Sequence, residues 1–302
     1  MLSIPHKIHL NFGDVRSAPF IIPVPDMTPV VKLSDAETDE AMLFLNERPV
    51  HTVAMASMIS DNGIESDLNR GDFYAYRDEF GRLEAIALIG HSTLVEARSH
   101  RSLRTLAFKA RTSETPINLI MSSGEDAEAF FFYYGNGTLL PRAIAKELLF
   151  ETSFPFPVQE CGWDIRPATA NEIGPIANAH AEVAFIESGI NPMSRDREGY
   201  LKRVLRRIEQ QRTYVVFEND ELIFKADIIA QTQEVIYLEG VYVARDHRGK
   251  GVASLCLAKL CLDLLKRSST VCLLSNSEMQ HAHRCFAKAG FQQTDACKTV
   301  FI

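Results

Sequence analysis

The chain has 302 residues, 46% of them apolar and 24% charged, with a net charge of −7 at pH 7. That is the composition of a globular protein long enough for two domains. The negative balance argues against nucleic acid or an anionic membrane as the main partner, and no stretch approaches the ~20 apolar residues that span a bilayer. Met1 to Phe12 has no continuous apolar core of the signal-peptide kind. The six cysteines all lie at or after Cys161 and form no C-x-x-C pair, so they read as buried free thiols in a reducing compartment, which gives a cytoplasmic expectation.

Residues 1–30 carry Pro5, Pro19, Pro23, Pro25 and Pro29, a density that blocks helix and central strand and reads as an extended arm. Asp35 is a candidate N-cap for a helix from Ala36 that Pro49 interrupts, and a second helix is expected from about His51 to Ile59. Phe73–Tyr76 and Leu83–Ile89 flank Asp78-Glu79-Phe80-Gly81 as a hairpin. Ile117–Met121 reads as a strand, Glu125–Tyr134 as a helix, and Pro141–Phe150 as a last helix with Pro in its first turn. Phe154-Pro155-Phe156-Pro157 reads as a linker. The expected division is an arm at 1–30, an N-terminal domain at 31–152 and a C-terminal domain at 163–302.

Trp163–Ala168 reads as the first strand of the C-terminal domain and Ala170–Ile186 as a helix with apolar residues at helical spacing. Tyr200–Gln210 is a basic amphipathic helix whose Lys202, Arg203, Arg206 and Arg207 read as a solvated face. Thr213–Phe217 and Leu222–Ile229 pair around Asn219-Asp220. Val235–Ala244 is a Val-, Ile- and Tyr-rich strand, followed by the polar turn Arg245–Arg248, by Gly249-Lys250-Gly251, and by an apolar helix Val252–Lys266. Val271–Ser275, Glu278–Ala289 and Cys297–Ile302 read as strand, helix and closing strand.

A strand feeding a glycine-rich turn and a helix is a way to hold phosphate, because the helix start leaves backbone N–H groups without partners and glycine lets an anion approach them. A Walker loop is disfavoured, since Ala244 stands at its first Gly and Gly251 at its hydroxyl position. A dinucleotide fingerprint would put its third Gly at Ser254 and finds no acid about 20 residues further on. The pattern Arg/Gln-x-x-Gly-x-Gly/Ala fits Arg248-Gly249-Lys250-Gly251-Val252-Ala253 without exception, and Ala282-His283-Arg284-Cys285-Phe286-Ala287-Lys288-Ala289-Gly290-Phe291 follows. Together these resemble the pyrophosphate loop and the Ala-x-x-x-Tyr-x-x-x-Gly-Phe ending of the GNAT superfamily of acyl-CoA-dependent N-acyltransferases, over about Asp164 to Ile302.

The resemblance implies an α/β (α+β) fold, a mixed, largely antiparallel twisted sheet flanked by helices. The N-terminal domain has a compatible element order but no such loop, and is expected to be a degenerate second copy. The resemblance further implies acetyl-CoA as co-substrate. Gly249, Lys250, Gly251, Val252 and Ala253 would hold the pyrophosphate through backbone N–H groups, with charge from Arg248 and Lys250. Val241, Tyr242 and Val243 would pair with the pantetheine arm, and Phe286 would stand beside the thiol. Gly251 is expected at helical φ/ψ, so that Ala there would stabilise the helix.

Glu239 is the candidate base. A lone carboxylate in an apolar strand is costly unless paired or functional, and burial would raise its pKa. Gly240 beside it suggests a bulge. Phe286 replaces the usual Tyr and cannot donate a proton, which leaves the general acid open to water or a residue such as Tyr242. Cys285 is expected to point elsewhere. His281 and His283 face apart on a helix, so no metal is expected. The expected function is acyl transfer from CoA to a small-molecule or peptide primary amine, against the alternative of a non-catalytic CoA-binding regulatory module. The amine, the acyl group and the oligomeric state are left open, a homodimer being one expectation.

Overall fold

The computed structural model describes residues 23–154, 160–189 and 191–302. Most of the expected arm and all but Phe154 of the expected linker lie outside them. In chain order the first half runs β1 (Val30–Lys32), α1 (Thr38–Leu45), α2 (Pro49–Asn62), β2 (Gly71–Arg77), β3 (Leu83–Gly90), β4 (Ser92–Ala97), α3 (His100–Ala110), β5 (Leu119–Ser123), α4 (Asp126–Tyr134) and β6 (Ala143–Thr152). The second half repeats that order as β7 (Arg166–Pro167), α5 (Ile173–Ser188), α6 (Arg197–Glu209), β8 (Thr213–Glu218), β9 (Glu221–Gln231), β10 (Val235–Val243), α7 (Val252–Leu264), β11 (Thr270–Asn276), α8 (Gln280–Lys288) and β12 (Gln292–Phe301).

The described strands form one sheet in the order β1-β2-β3-β4-β5-β12-β6-β11-β10-β9-β8-β7. Only β4 with β5 and β10 with β11 run parallel. The halves trade their last strands. β6 lies between β11 and β12, pairing Glu147–Thr152 with Val271–Asn276 and Ala143–Glu151 with Gln292–Phe301. In return β12 pairs Cys297–Phe301 with Leu119–Ser123 of β5. Phe150 of β6 is therefore buried among Ile236, Leu238, Leu257 and Phe286, and Val300 of β12 among Leu106, Ile120 and Phe130.

This corrects the helix expected over Pro141–Phe150, which is the strand β6. Its sequence, AIAKELLFET, is rich in helix formers, but hydrogen-bond ladders on both edges and burial of Leu149 and Phe150 override that preference. Residues 92–110 carry β4 and α3, where no element was expected. The strand expected over Trp163–Ala168 shrinks to Arg166–Pro167. The second helix starts at Pro49, which occupies the first turn and needs no N–H partner there. Ser34, rather than Asp35, caps the first helical turn through a capping box with Glu37.

α2 binds the halves on one face of the sheet. Its Val53 is buried with Leu149, Ala230, Val235, Tyr237 and Cys272, and Asp61 takes both guanidinium nitrogens of Arg212 at 2.6 and 2.8 Å. Among the described residues no helix is long and apolar enough to cross a membrane. A chain of residues 160–302 alone would lose β6, leaving the edges of β11 and β12 unpaired and the Phe150 site empty. Such a chain is expected to show no cooperative thermal transition by circular dichroism; a sharp transition near that of the whole chain would contradict the reading.

Candidate functional site

β10 and β11 stay paired only from Val235 opposite Thr270 to Leu238 opposite Leu273. Beyond that, β10 continues along β9 through a bulge. Glu239 pairs with Asp227 and Tyr242 with Lys225, so Gly240 and Val241 together oppose Ala226. Gly240 sits at φ +60°, which glycine adopts without strain. The bulge suggested by Gly240 is therefore present, and it coincides with the end of the β10–β11 pairing.

Past the bulge lies a cavity of about 480 Å³ among β10, the start of α7, α8 and the end of α5. Of the residues expected to hold CoA, Val241, Tyr242, Val243, Arg248, Gly249, Gly251, Val252, Ala253 and Phe286 line it. Lys250 does not, and is exposed. His247, Arg248, His281, Arg284 and Lys288 line it too, with no Asp or Glu among the described lining residues. In a chain of net charge −7, a cavity with cationic and apolar walls suits a ligand that joins phosphate to an extended neutral arm.

The glycine loop differs from expectation in one respect. Gly249 sits at φ +76° and Gly251 at φ +84°, so Gly251 is a left-handed N-cap of α7 rather than its first helical residue. A Cβ on either would meet nothing within 4 Å. The glycines are thus required by backbone conformation and not by crowding at the Cβ position. The sign of the Gly251→Ala effect reverses accordingly. The variant is expected to lose about 1–2 kcal/mol of stability, read as a lower urea midpoint at unchanged slope; a raised midpoint would restore the helical reading.

Arg248 is held in place by protein groups. Its Nε donates to the Val243 carbonyl at 2.9 Å, and its guanidinium meets Glu182 at 3.2 Å. Trp163 packs edge-on against His247 with ring centroids 5.9 Å apart. Phe286 is buried at the cavity wall between Phe150 and Phe291, with centroids at 5.5 and 6.3 Å. Cys285, expected to point elsewhere, also lines the cavity, and burial pushes its thiol up to about 11. Tyr242 lines the cavity as well, with its phenol raised by burial. Among the described residues no group of three or more His, Cys, Asp or Glu could hold a metal ion.

Glu239 does not line this cavity. The Tyr237 hydroxyl donates to its Oε1. Glu239 is exposed at the surface, and the protein crowded around it is the largest influence on its carboxyl, raising its pKa against the pull of Tyr237 and Arg207. Burial, then Glu239 itself, pushes the Tyr237 phenol well above its ordinary range.

Next to Glu239 lies a buried ionic group that the sequence reading missed. Lys225 Nζ is 2.5 Å from Asp227 Oδ2, with side-chain exposures of 0% and 2%. Arg207 reaches the same oxygen at 3.3 Å, and Thr213 donates to Oδ1 at 2.8 Å. Burial opposes ionisation of Asp227, but Lys225 and Arg207 outweigh it and hold the carboxyl below its usual value. Arg207 is thus no solvated-face residue. Charges in the apolar run Leu222–Ile229 were the available signal, the same one that singled out Glu239.

Burial and the positive charge of Lys225 also depress His180, on α5, to about 4. A group with a lowered folded pKa contributes stability above its unfolded value of about 6.5, and that contribution is lost as pH falls toward 4. His180→Gln is therefore expected to lose less stability than the wild type between pH 7 and 4.5, by on the order of 2–3 kcal/mol. Urea melts at both pH values check this; parallel losses in the two proteins would contradict it.

The model of the acetyltransferase (GNAT) family matches residues 181–291. A search of curated protein sequences finds no match. Among solved structures, an acetyltransferase of the GNAT family from Colwellia psychrerythraea aligns at TM-score 0.57 and 12% identity, covering 90% of this chain and 99% of that one. A GCN5-related N-acetyltransferase from Sphaerobacter thermophilus aligns at 0.59 and 13%, covering 92% and 96%. A tandem GNAT protein from the clavulanic acid biosynthesis pathway aligns at 0.55 and 13%, covering 89% and 97%. At these identities the likeness is one of fold, and it spans both halves.

Proposed function

Taking as premise that the C-terminal half carries a GNAT acetyltransferase domain within a tandem fold of that kind, we propose that the protein transfers an acyl group, acetyl first among the candidates, from CoA to a primary amine by direct attack in a ternary complex. The observation that carries this reading is the cavity beside the parted strand. It joins a stretch of strand past its last β11 partner, at Val241–Val243, to a loop of two left-handed glycines and to cationic walls with no Asp or Glu among the described lining residues.

Each part of the cavity has a task. N–H groups after Gly249 and Gly251 bind the pyrophosphate, with Arg248 adding charge once released from Glu182. The Val241–Val243 backbone pairs with the pantetheine arm as an added strand would. CoA supplies the thioester. The amine nitrogen attacks the acyl carbon, the carbon–sulfur bond breaks, and the proton lost by the amine goes to Glu239. Its pKa, raised above the ordinary carboxylate value, strengthens it as a base. The amine approaches on the Glu239 side of β10, small molecules and exposed peptide amines being the acceptor classes. Phe286 has no proton to give, so the departing thiolate is protonated by water or by the Tyr242 hydroxyl.

A second reading, a CoA-binding regulatory module, draws support from Phe286 at the cavity wall, where the family pattern has Tyr. Free-thiol release from acetyl-CoA across a panel of primary amines separates the two. Turnover is expected, and Glu239→Gln should lower it by ~10²–10⁴-fold while a CoA-dependent rise in melting temperature persists. A melting shift with no thiol release from any amine would support the regulatory module instead. Phe286→Tyr is expected to keep the melting shift, and its loss would contradict the expectation that the cavity tolerates a Tyr hydroxyl at that position.

A further inference from the structure

Lys225 is wholly buried, and a buried ammonium persists only where partners replace its lost hydration. Here it shares Asp227 with Arg207, so two cations face one anion. The location is specific. Asp227 and Lys225 are the β9 partners of Glu239 and Tyr242, the two ends of the bulge. A Cβ on Gly240 would stand 3.0 Å from Lys225 Nζ and 3.1 Å from Asp227 Oδ2, at a φ of +60° that side chains rarely adopt. The bulge thus lies directly against the ion pair.

Around Glu239 the charged and titratable groups come from several elements. Tyr237 is on its own strand, Asp227 and Lys225 on β9, Arg207 on α6 and Glu147 on β6. His180 on α5 faces Asp227 and Lys225, and Cys272 of β11 packs with Tyr237. α2 presents Val50 and Val53 nearby. Asp227 cancels one of its two cations. The remaining positive charge offsets Glu239, with Glu147 acting in the opposite sense.

We propose that Arg207, Asp227 and Lys225 form a positioning group for the transfer reaction, propping β10 away from β11 at Gly240 and holding Glu239 opposite a positive charge. This rests on the acyl-transfer reading. Removing the prop should misplace the Glu239 carboxyl and the strand edge while leaving the glycine loop intact. A misplacement of about 1 Å costs ~10²-fold in rate. Removing the charge of Arg207 should let Glu239 keep its proton to higher pH, and because the base works deprotonated, the acid limb of the rate profile moves up.

The test uses the full chain, acetyl-CoA, and whichever amine of a polyamine, amino acid, amino sugar and peptide panel releases thiol fastest. Gly240→Ala is expected to lower kcat by ~10²-fold with the CoA-dependent melting shift retained. Lys225→Met alone, which removes one member of the prop, is expected to lower kcat by ~10²-fold as well, again with the melting shift retained. Arg207→Gln should move the acid limb to higher pH. Wild-type kcat in Gly240→Ala or in Lys225→Met, or an unmoved limb in Arg207→Gln, would each overturn the proposal. Failure of the underlying reading looks different: the wild type itself binds CoA and releases no thiol.

Discussion

The parting of β10 from β11 after Leu238 is the constraint on which the site depends. A sheet gains most when its strands pair along their whole length, and every N–H or C=O left behind must find another partner. β10 is held to β9 by a bulge, and its other edge beyond Gly240 is left without β11. Arg248 takes up the Val243 carbonyl. Groups on that edge which stay unpaired are available to an extended ligand, and the loop that ends the strand offers further N–H groups.

The exchanged strands explain why this geometry belongs to the whole chain. β6 comes from the first half, yet it lines β11 along the edge that β10 does not take. Its Phe150 supports Phe286 and His283 from behind. The first half repeats the element order, including the parallel pair β4–β5, but closes the equivalent helix start differently. There Ser99 caps α3 by accepting from the Ser102 N–H. A side chain fills the place that two glycines leave open at α7.

How much of this was legible in the sequence follows from where each signal resides. Val235–Ala253 is readable because strand pattern, polar turn and paired glycines are all local. The bulge was readable from Gly240 standing in an apolar strand. The conformation of Gly251 was not, since a glycine before a helix suits either its first turn or its left-handed cap, and only the chain path decides. β6 was misread because its residues favour helix, and its strand state comes from ladders with partners distant in sequence. Lys225 and Asp227 were legible as charges in an apolar run, but their link to Arg207 needed α6 laid over the sheet.

The central claim is that CoA occupies the cavity beside the parted strand. A crystal structure of the full chain with CoA tests it most directly. The account predicts pyrophosphate density against the backbone of Gly249 to Ala253, pantetheine along Val241 to Val243, and Arg248 swung off Glu182. CoA bound at the start of α3, or elsewhere in the first half with this cavity empty, would contradict it.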